Sequence, residues 1–281
     1  MGERVRLNKY ISETGVCSRR EADAWIEAGR VTLNGIRAHL GLRVGEDDEV
    51  RLDGELLRAT RKQIYIALNK PVGITCTTEL HVKDNVIEFL GHDERIFPIG
   101  RLDKDSEGLI LLTNDGDIVN HVLRSENEHE KEYLVSVNRP VTDLALSMLA
   151  SGVKIGGEMT KPCRVARIDR ETFRMILTQG LNRQIRRMCS ALGYRVQRLK
   201  RVRIMNVELG ALRVGEWRYL RDSEVALLKA GQAHGARHGA PSAQVARSTG
   251  ALRPSDQRRP AVARHSGSSA RVASQRKKSS P

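Results

Sequence analysis

The chain holds 281 residues with 48 Lys+Arg against 34 Asp+Glu, a formal charge of +14, which predicts a soluble protein of more than one part with a polyanionic partner. Its longest apolar runs are about five residues, against the roughly 20 needed to cross a bilayer, and the Met-Gly-Glu-Arg-Val-Arg start has no signal-peptide core, so a cytoplasmic protein without membrane attachment is expected. Cys17, Cys76, Cys163 and Cys189 lie 59, 87 and 26 residues apart and the eight His are scattered, so reduced thiols and no metal site are expected.

The charge is unevenly placed. Residues 1–60 carry 10 basic and 11 acidic side chains, 61–230 carry 28 and 22, and 231–281 carry 10 and 1. That last stretch has four large apolar residues and no aromatic one, too little to offset its ordering entropy, so a disordered basic tail is predicted over 231–281. It reads equally as a solubilising tail or as a non-specific phosphate tether.

At the start, Leu7, Tyr10 and Ile11 fall at helical spacing and Gly15 offers a stop. Ser18-Arg19-Arg20-Glu21 is a capping box, Ala22, Trp25 and Ile26 continue an apolar face, and Gly29 closes a second helix. Val31-Thr32-Leu33 then runs into Asn34-Gly35, a strong hairpin signal, and Val50-Arg51-Leu52 with Asp53-Gly54 suggests another strand and turn. Residues 1–43 hold 8 basic and 5 acidic side chains, among them Arg4, Arg6, Lys9, Arg19, Arg20 and Arg30. Arg-Leu-Asn-Lys-Tyr-Ile-Ser (6–12), Ser-Arg-Arg-Glu-Ala (18–22) and Val-Thr-Leu-Asn-Gly (31–35) together resemble the small RNA-binding module named after ribosomal protein S4. The resemblance implies RNA binding by Arg4, Arg6, Lys9, Arg19 and Arg20 in a module over 1–60, where charge patterning alone would leave a solvated face.

After a linker near 59–63, Ile64, Ile66 and Leu68 alternate along a strand and Asn69-Lys70-Pro71-Val72-Gly73 reads as its closing turn, which opens a second domain over 64–230. Phe97-Pro98-Ile99-Gly100 and Leu109 to Thr113 then bracket the charged loop Arg101-Leu102-Asp103-Lys104-Asp105-Ser106-Glu107-Gly108. Such loops on rigid scaffolds favour active sites. Calcium binding would match Asp103, Asp105, Glu107 and Gly108, but Asn114 stands where a bidentate Glu is required and Leu109 to Thr113 reads as a strand rather than a helix. A solvated turn of paired charges and a single catalytic Asp flanked by Arg101 are the other two readings.

Gly-Arg-Leu-Asp (100–103) followed by Ser106, Gly108 and Leu109 resembles the signature of the pseudouridine synthases of the ribosomal small-subunit type. Leu-Asn-Lys-Pro-Val-Gly (68–73), Lys-Glu-Tyr-Leu-Val (131–135) and Gln-Gly-Leu-Asn-Arg-Gln-Ile-Arg-Arg-Met (179–188) agree in order, so the resemblance covers about 6–225. It implies an α+β protein: the S4-type module, a catalytic domain built on a mixed, largely antiparallel sheet with flanking helices, and the tail. It implies no cofactor and no metal, and Asp103 as an ionised carboxylate that either adds to the sugar carbon or removes a proton beside it. Tyr133, by itself an ordinary half-buried strand aromatic, would stack on the flipped base and take the C5 proton. Arg101 would enter the space the base leaves. Lys70 and Pro71 are expected to form a strand-ending turn that positions the cleft.

Ile185, Met188, Cys189 and Leu192 fall on one helical face stopped by Gly193, which would put Arg183, Arg186 and Arg187 together on another side. The family motif sets the Arg after Gln-Ile, here Arg186, against the catalytic Asp, and Arg183 and Arg187 then read as RNA contacts. Residues 180–203 contain eight basic side chains and no acid, enough to meet several phosphates. At 4% aromatic content a base-stacking binder of single strands is disfavoured, and shape recognition of a folded stem-loop fits better. Arg-Leu-Asn-Lys-Tyr-Ile-Ser-Glu (6–13), His-Glu-Lys-Glu-Tyr-Leu-Val (129–135) and Arg-Ile-Met-Asn-Val (203–207) resemble the branch that acts on 23S rRNA, while sister branches acting on other rRNA or tRNA uridines share the catalytic motifs, and a monomer is expected. An RNA-binding assembly factor without activity and a nucleoside hydrolase are the rivals, the first disfavoured by the intact Asp103, Tyr133 and Arg186 set, the second by the lack of a second positioned carboxylate.

Overall fold

The computed structural model describes residues 4–58, 62–79, 81–123 and 128–230, apart from the side chains of 120 and 121. The tail over 231–281 and most of the linker near 59–63 lie outside the described residues.

The first module runs β1 (Val5–Arg6), α1 (Leu7–Glu13), α2 (Arg19–Glu27), β2 (Val31–Leu33), β3 (Ile36–Arg37), β4 (Arg43–Val44), β5 (Val50–Leu52) and β6 (Glu55–Leu56). The capping box forms as the sequence predicts: Glu21 N–H donates to Ser18 Oγ at 3.2 Å and Ser18 N–H to Glu21 Oε2 at 2.7 Å. Asn34 at φ 53° and Gly35 at φ 78° supply the left-handed turn that pairs β2 with β3. Leu7, Ile11, Ala22 and Ile26 from the two helices then close on Val31, Val44 and Val50 in one apolar core.

The second domain contains β7 (Tyr65–Lys70), α3 (Val86–Leu90), β8 (Phe97–Ile99), β9 (Glu107–Thr113), α4 (Gly116–Leu123), β10 (Lys131–Val137), α5 (Asp143–Ser151), β11 (Lys154–Ile155), β12 (Glu158–Met159), β13 (Arg164–Arg167), β14 (Thr172–Leu177), α6 (Gln184–Ala191), β15 (Val196–Ile204), β16 (Val207–Glu208), β17 (Trp217–Tyr219) and α7 (Asp222–Ala230). Its nine-stranded sheet follows the order β13-β14-β10-β15-β9-β7-β17, with β8 on β9 and β16 on β15. Every pair is antiparallel except β9 with β15, so the sheet is mixed and largely antiparallel. Lys70 is the last residue of β7 rather than part of a turn after it, and β7 is buried along its whole length on both faces.

The two faces of the sheet are sorted by alternation. Ile66, Leu68, Ile110 and Leu112 pack against Val86, Leu90 and Leu102 on the face over which the 101–106 loop passes. Tyr65, Ala67, Leu109 and Leu111 pack on the other, with Ile118, Val122 and Leu228. A third cluster, Val135, Val137, Leu149, Phe173, Met175, Ile185 and Met188, seats α5 and α6 on the far half. Among the described residues no helix is long and apolar enough to cross a membrane.

Candidate active site

Register places four residues in one row across adjacent strands. Lys70 of β7 is opposite Gly108 of β9, Gly108 opposite Arg201 of β15, and Arg201 opposite Tyr133 of β10. Cross-strand partners share a face, and Lys70 follows Ile66 and Leu68 at period two, so the row lies on the face covered by the loop that carries Asp103. Tyr133 is half-buried where two apolar clusters meet, packing against both.

Asp103 is 31% exposed, and Ser106 N–H donates to its main-chain oxygen at 3.1 Å in a tight turn. From beneath, Gly73 N–H donates to Lys104 O at 2.8 Å. Among the described residues the guanidinium beside Asp103 belongs to Arg183, with Nη1 3.8 Å from Oδ2. Arg183 also forks onto Asp105, Nη1 to Oδ1 at 2.9 Å and Nη2 to Oδ2 at 2.8 Å. Those hydrogen bonds hold the Asp105 carboxyl below its usual range; burial opposes them, and the charges of Arg186 and Arg183 add to them.

Arg186 differs from its expected placement. Its Nη2 donates to Asp105 O at 2.7 Å and to buried Ser106 Oγ at 3.1 Å, its Nη1 donates to Val196 O at 3.3 Å, and its Nε stands 3.4 Å from Asp105 Oδ2. It therefore fixes the back of the loop, and Arg183 is the side chain beside Asp103. The two are not on one helical face: Arg183 is the N-cap of α6 at φ 49°, in the left-handed region, which swings it out of the helix toward the loop.

The remaining arginines of 180–203 are not all available to phosphate. Arg198 pairs with Glu107, Arg203 with Glu130 and Glu132, and Arg201 is 3% exposed. Acid-free in sequence, the segment meets acids from neighbouring strands in space. Arg187 is exposed and lies over the turn of the β11–β12 hairpin, where a Cβ at Gly156 would meet its Nη2 at 2.3 Å. Arg101 projects outward, while its main-chain oxygen accepts from Arg201 Nη1 at 3.2 Å.

On the first module Arg6, Arg19 and Arg20 are exposed, and Arg4, 66% exposed, stands 4.0 Å from Asp48. Lys9 departs from the expected RNA face: its Nζ donates to Asp117 Oδ2 of the second domain at 2.7 Å and lies 3.5 Å from Glu13. Burial lowers its affinity for the proton, but the bonds and charges of Asp117 and Glu13 outweigh this and raise it above the usual value. In the sequence Lys70 reads as part of a strand-ending turn and Arg201 as one of the phosphate-facing basic side chains of 180–203, whereas both are buried beneath the loop. The one local signal was a lysine closing a strand that begins with four largely apolar residues.

The RNA pseudouridylate synthase family matches residues 64–191, and the S4 domain family matches 5–50. The dual-specificity RNA pseudouridine synthase RluF of Escherichia coli (strain K12) is 55% identical over 223 residues, 79% of this chain and 77% of that protein. The ribosomal large subunit pseudouridine synthase B of Bacillus subtilis is 34% identical over 240 residues, 82% of this chain and 98% of that one. A crystal structure of a pseudouridylate synthase, 32% identical, superposes with a TM-score of 0.59 over 80% of this chain and 99% of its own. This chain thus belongs to the RNA pseudouridine synthases that carry an S4 domain ahead of the catalytic domain, enzymes that isomerise uridine within RNA.

Proposed function

We propose that this enzyme isomerises a uridine in a folded stem-loop of 23S rRNA, with Asp103 as the reacting carboxylate. The observation that carries the reading is the position of Asp103: partly open to solvent, on a loop pinned at its back by Arg186, with Arg183 3.8 Å away and the Tyr133 row on the sheet face below. The relatives' names support the RNA class, that of E. coli including the words dual-specificity and that of B. subtilis the words large subunit. A second uridine, in the same or another RNA, is the alternative substrate this similarity favours.

The chemistry breaks the N1–C1′ bond, turns the base, joins C5 to C1′ and moves one proton from C5 to solvent while N1 gains one. Atoms and electrons balance within the nucleoside, so the residues need only bind, hold charge and move a proton. An ionised Asp103 adds to C1′ or removes the adjacent sugar proton, and either route requires the anion. Arg183 and Arg186 hold that loop, Tyr133 supplies a ring for the base and a hydroxyl for the C5 proton, and Arg101, pointing outward, fills the place the base vacates. Extracting the uridine from its stack costs a few kcal/mol. Phosphate contacts by Arg4, Arg6, Arg19, Arg20 and Arg187 offset this cost. In this reading the protein acts as a cytoplasmic monomer over domains 1–60 and 64–230.

Tritium release from rRNA labelled at uridine C5 tests it. Wild type releases tritium and Asp103→Asn binds the RNA but releases none. Equal release by both would remove Asp103 from the reaction, and binding without release by wild type would leave an assembly factor in place of an enzyme.

A further inference from the structure

Two buried cations lie under the Asp103 loop, and no step of the isomerisation uses them. Lys70 is fully buried, and its Nζ donates to Pro71 O at 2.8 Å and Ile74 O at 2.9 Å. Arg201 is 3% exposed, with Nε donating to Leu109 O at 2.7 Å and Nη1 to Arg101 O at 3.2 Å. Its Nη2 is buried with no hydrogen-bond partner among the described residues. Among those residues neither cation forms an ion pair with a carboxylate. Burying such charges costs several kcal/mol each, and an apolar side chain of the same length would fill the space without that cost.

Arg201 faces inward because of one irregularity. Glu132 is opposite Arg203 but Tyr133 is opposite Arg201, so Val202 is an extra residue in β15. Regular alternation would turn Arg201 to the same face as Arg203, among the acids of the outer surface. The bulge instead separates them, Arg203 outward to Glu132 and Arg201 inward beside Tyr133. Opposite, Gly108 at φ 106° leaves room for the β15 backbone: a Cβ there would lie 2.2 Å from Arg201 O.

We propose that Arg201 is a positioning residue for the isomerisation. Its guanidinium staples Arg101 O to Leu109 O, the two ends of the segment that holds Asp103, and its own strand places Tyr133 beside them. One rigid group thereby sets the distance between the reacting carboxylate and the base-stacking ring. The inference rests on the reading of Asp103 and Tyr133 given above. Lys70 serves the same loop from the other side, since the turn it holds donates Gly73 N–H to Lys104 O. Burial depresses the Lys70 amine, Arg201 adds to that, and Cys76 with Asp103 and Asp105 opposes it, which fits two cations kept beneath a loop of two carboxylates.

The test is tritium release under saturating RNA for Arg201→Met and Arg201→Lys, with RNA affinity and thermal melting measured on the same samples. Because a displacement of about 1 Å at the reacting groups costs roughly 10²-fold, R201M should lose about 10²-fold in kcat with KM and RNA affinity unchanged within about twofold. R201K keeps the charge but reaches only one carbonyl, and should lose about tenfold. A folded R201M with kcat within about threefold of wild type overturns the staple, as does a loss confined to KM. Should R201M not melt cooperatively, R201K decides by the same criteria. Asp103→Asn run in parallel separates the two ideas: release surviving in D103N removes the nucleophile, whereas release lost in D103N and kept in R201M removes the staple alone.

Discussion

Arg183 and Asp105 meet through two parallel contacts at 2.9 and 2.8 Å, and the same guanidinium stands 3.8 Å from Asp103. Asp105 thus acts as the partner that keeps Arg183 aimed, since the planar fork of an arginine fixes orientation where a lysine would not. Arg183→Lys and Asp105→Asn should each lower kcat about tenfold, and the double variant should lose about tenfold as well, because both single changes break one unit. Single-turnover tritium release measures this. A hundredfold loss in the double variant would mean that the two residues act separately.

Lys9 and the Arg19/Arg20 pair differ in what they already touch. Lys9 is held between Asp117 and Glu13 and is only 21% exposed, while Arg19 and Arg20 are exposed at the start of α2. Each phosphate contact contributes about 0.7–0.9 to the slope of log affinity against log salt. Arg19→Gln with Arg20→Gln should therefore reduce that slope by nearly two, and Lys9→Met should leave it unchanged. A Lys9→Met variant with a reduced slope would show that Lys9 leaves Asp117 for the RNA.

The elements legible in the sequence are those whose causes are local. Ser18 and Glu21 cap α2, Asn34-Gly35 turns β2 into β3, and the apolar run at Leu109 to Thr113 becomes β9 because both its faces are covered. The loop carrying Asp103 was legible as a charged interruption between two apolar stretches. What was not legible depends on partners far along the chain. Arg203 is matched by Glu132 at a separation of 71 residues, and the inward turn of Arg201 hangs on a bulge that changes the face of every side chain beyond it. Arg183 looked like a helical neighbour of Arg186 and Arg187, but a residue at the N-cap in the left-handed region obeys no helical spacing. Lys70 read as the edge of a turn because a buried lysine is rare, and the carbonyls of Pro71 and Ile74 help make its burial tolerable.

The outer face of the same sheet carries an ion ladder with a stability consequence. Arg203 Nε donates to Glu132 at 2.9 Å and its Nη2 to Glu130 at 3.0 Å, with all three side chains about 15% exposed. Arg164 and Arg174 reach the same two carboxylates from the far side. Arg203→Met leaves two largely buried carboxylates short of a partner, a change that costs about 3 kcal/mol and lowers Tm by roughly 6–12 °C. Adding Glu132→Gln should recover part of that loss, because it removes one of the stranded charges. Thermal melting of the two variants checks both statements, and a Tm within about 2 °C of wild type in R203M would mean that Arg164 and Arg174 suffice.

Glu224 ties α7 to β17 and provides the clearest acid-sensitive contact among the described residues. It is 5% exposed and accepts from Arg218 Nη1 and Nη2 at 2.8 Å each and from Arg221 N–H at 2.9 Å. The Arg218 hydrogen bonds, against burial and with help from Arg221, hold its carboxyl down to about 2, below the ordinary 4.5. A carboxyl depressed on folding stabilises the protein fully above its unfolded value and loses that contribution as pH falls toward its folded one. The contribution is on the order of 2–3 kcal/mol at pH 7. Glu224→Gln should be less stable than wild type by that amount at neutral pH, and the gap should shrink by more than half at about pH 3, where the wild-type carboxylate is still ionised but the unfolded chain has taken up its proton. Urea unfolding of both proteins at the two pH values measures the gap directly. A gap that stays constant would assign the loss to the packing of α7, through Leu228 against the core below, rather than to the charge of Glu224.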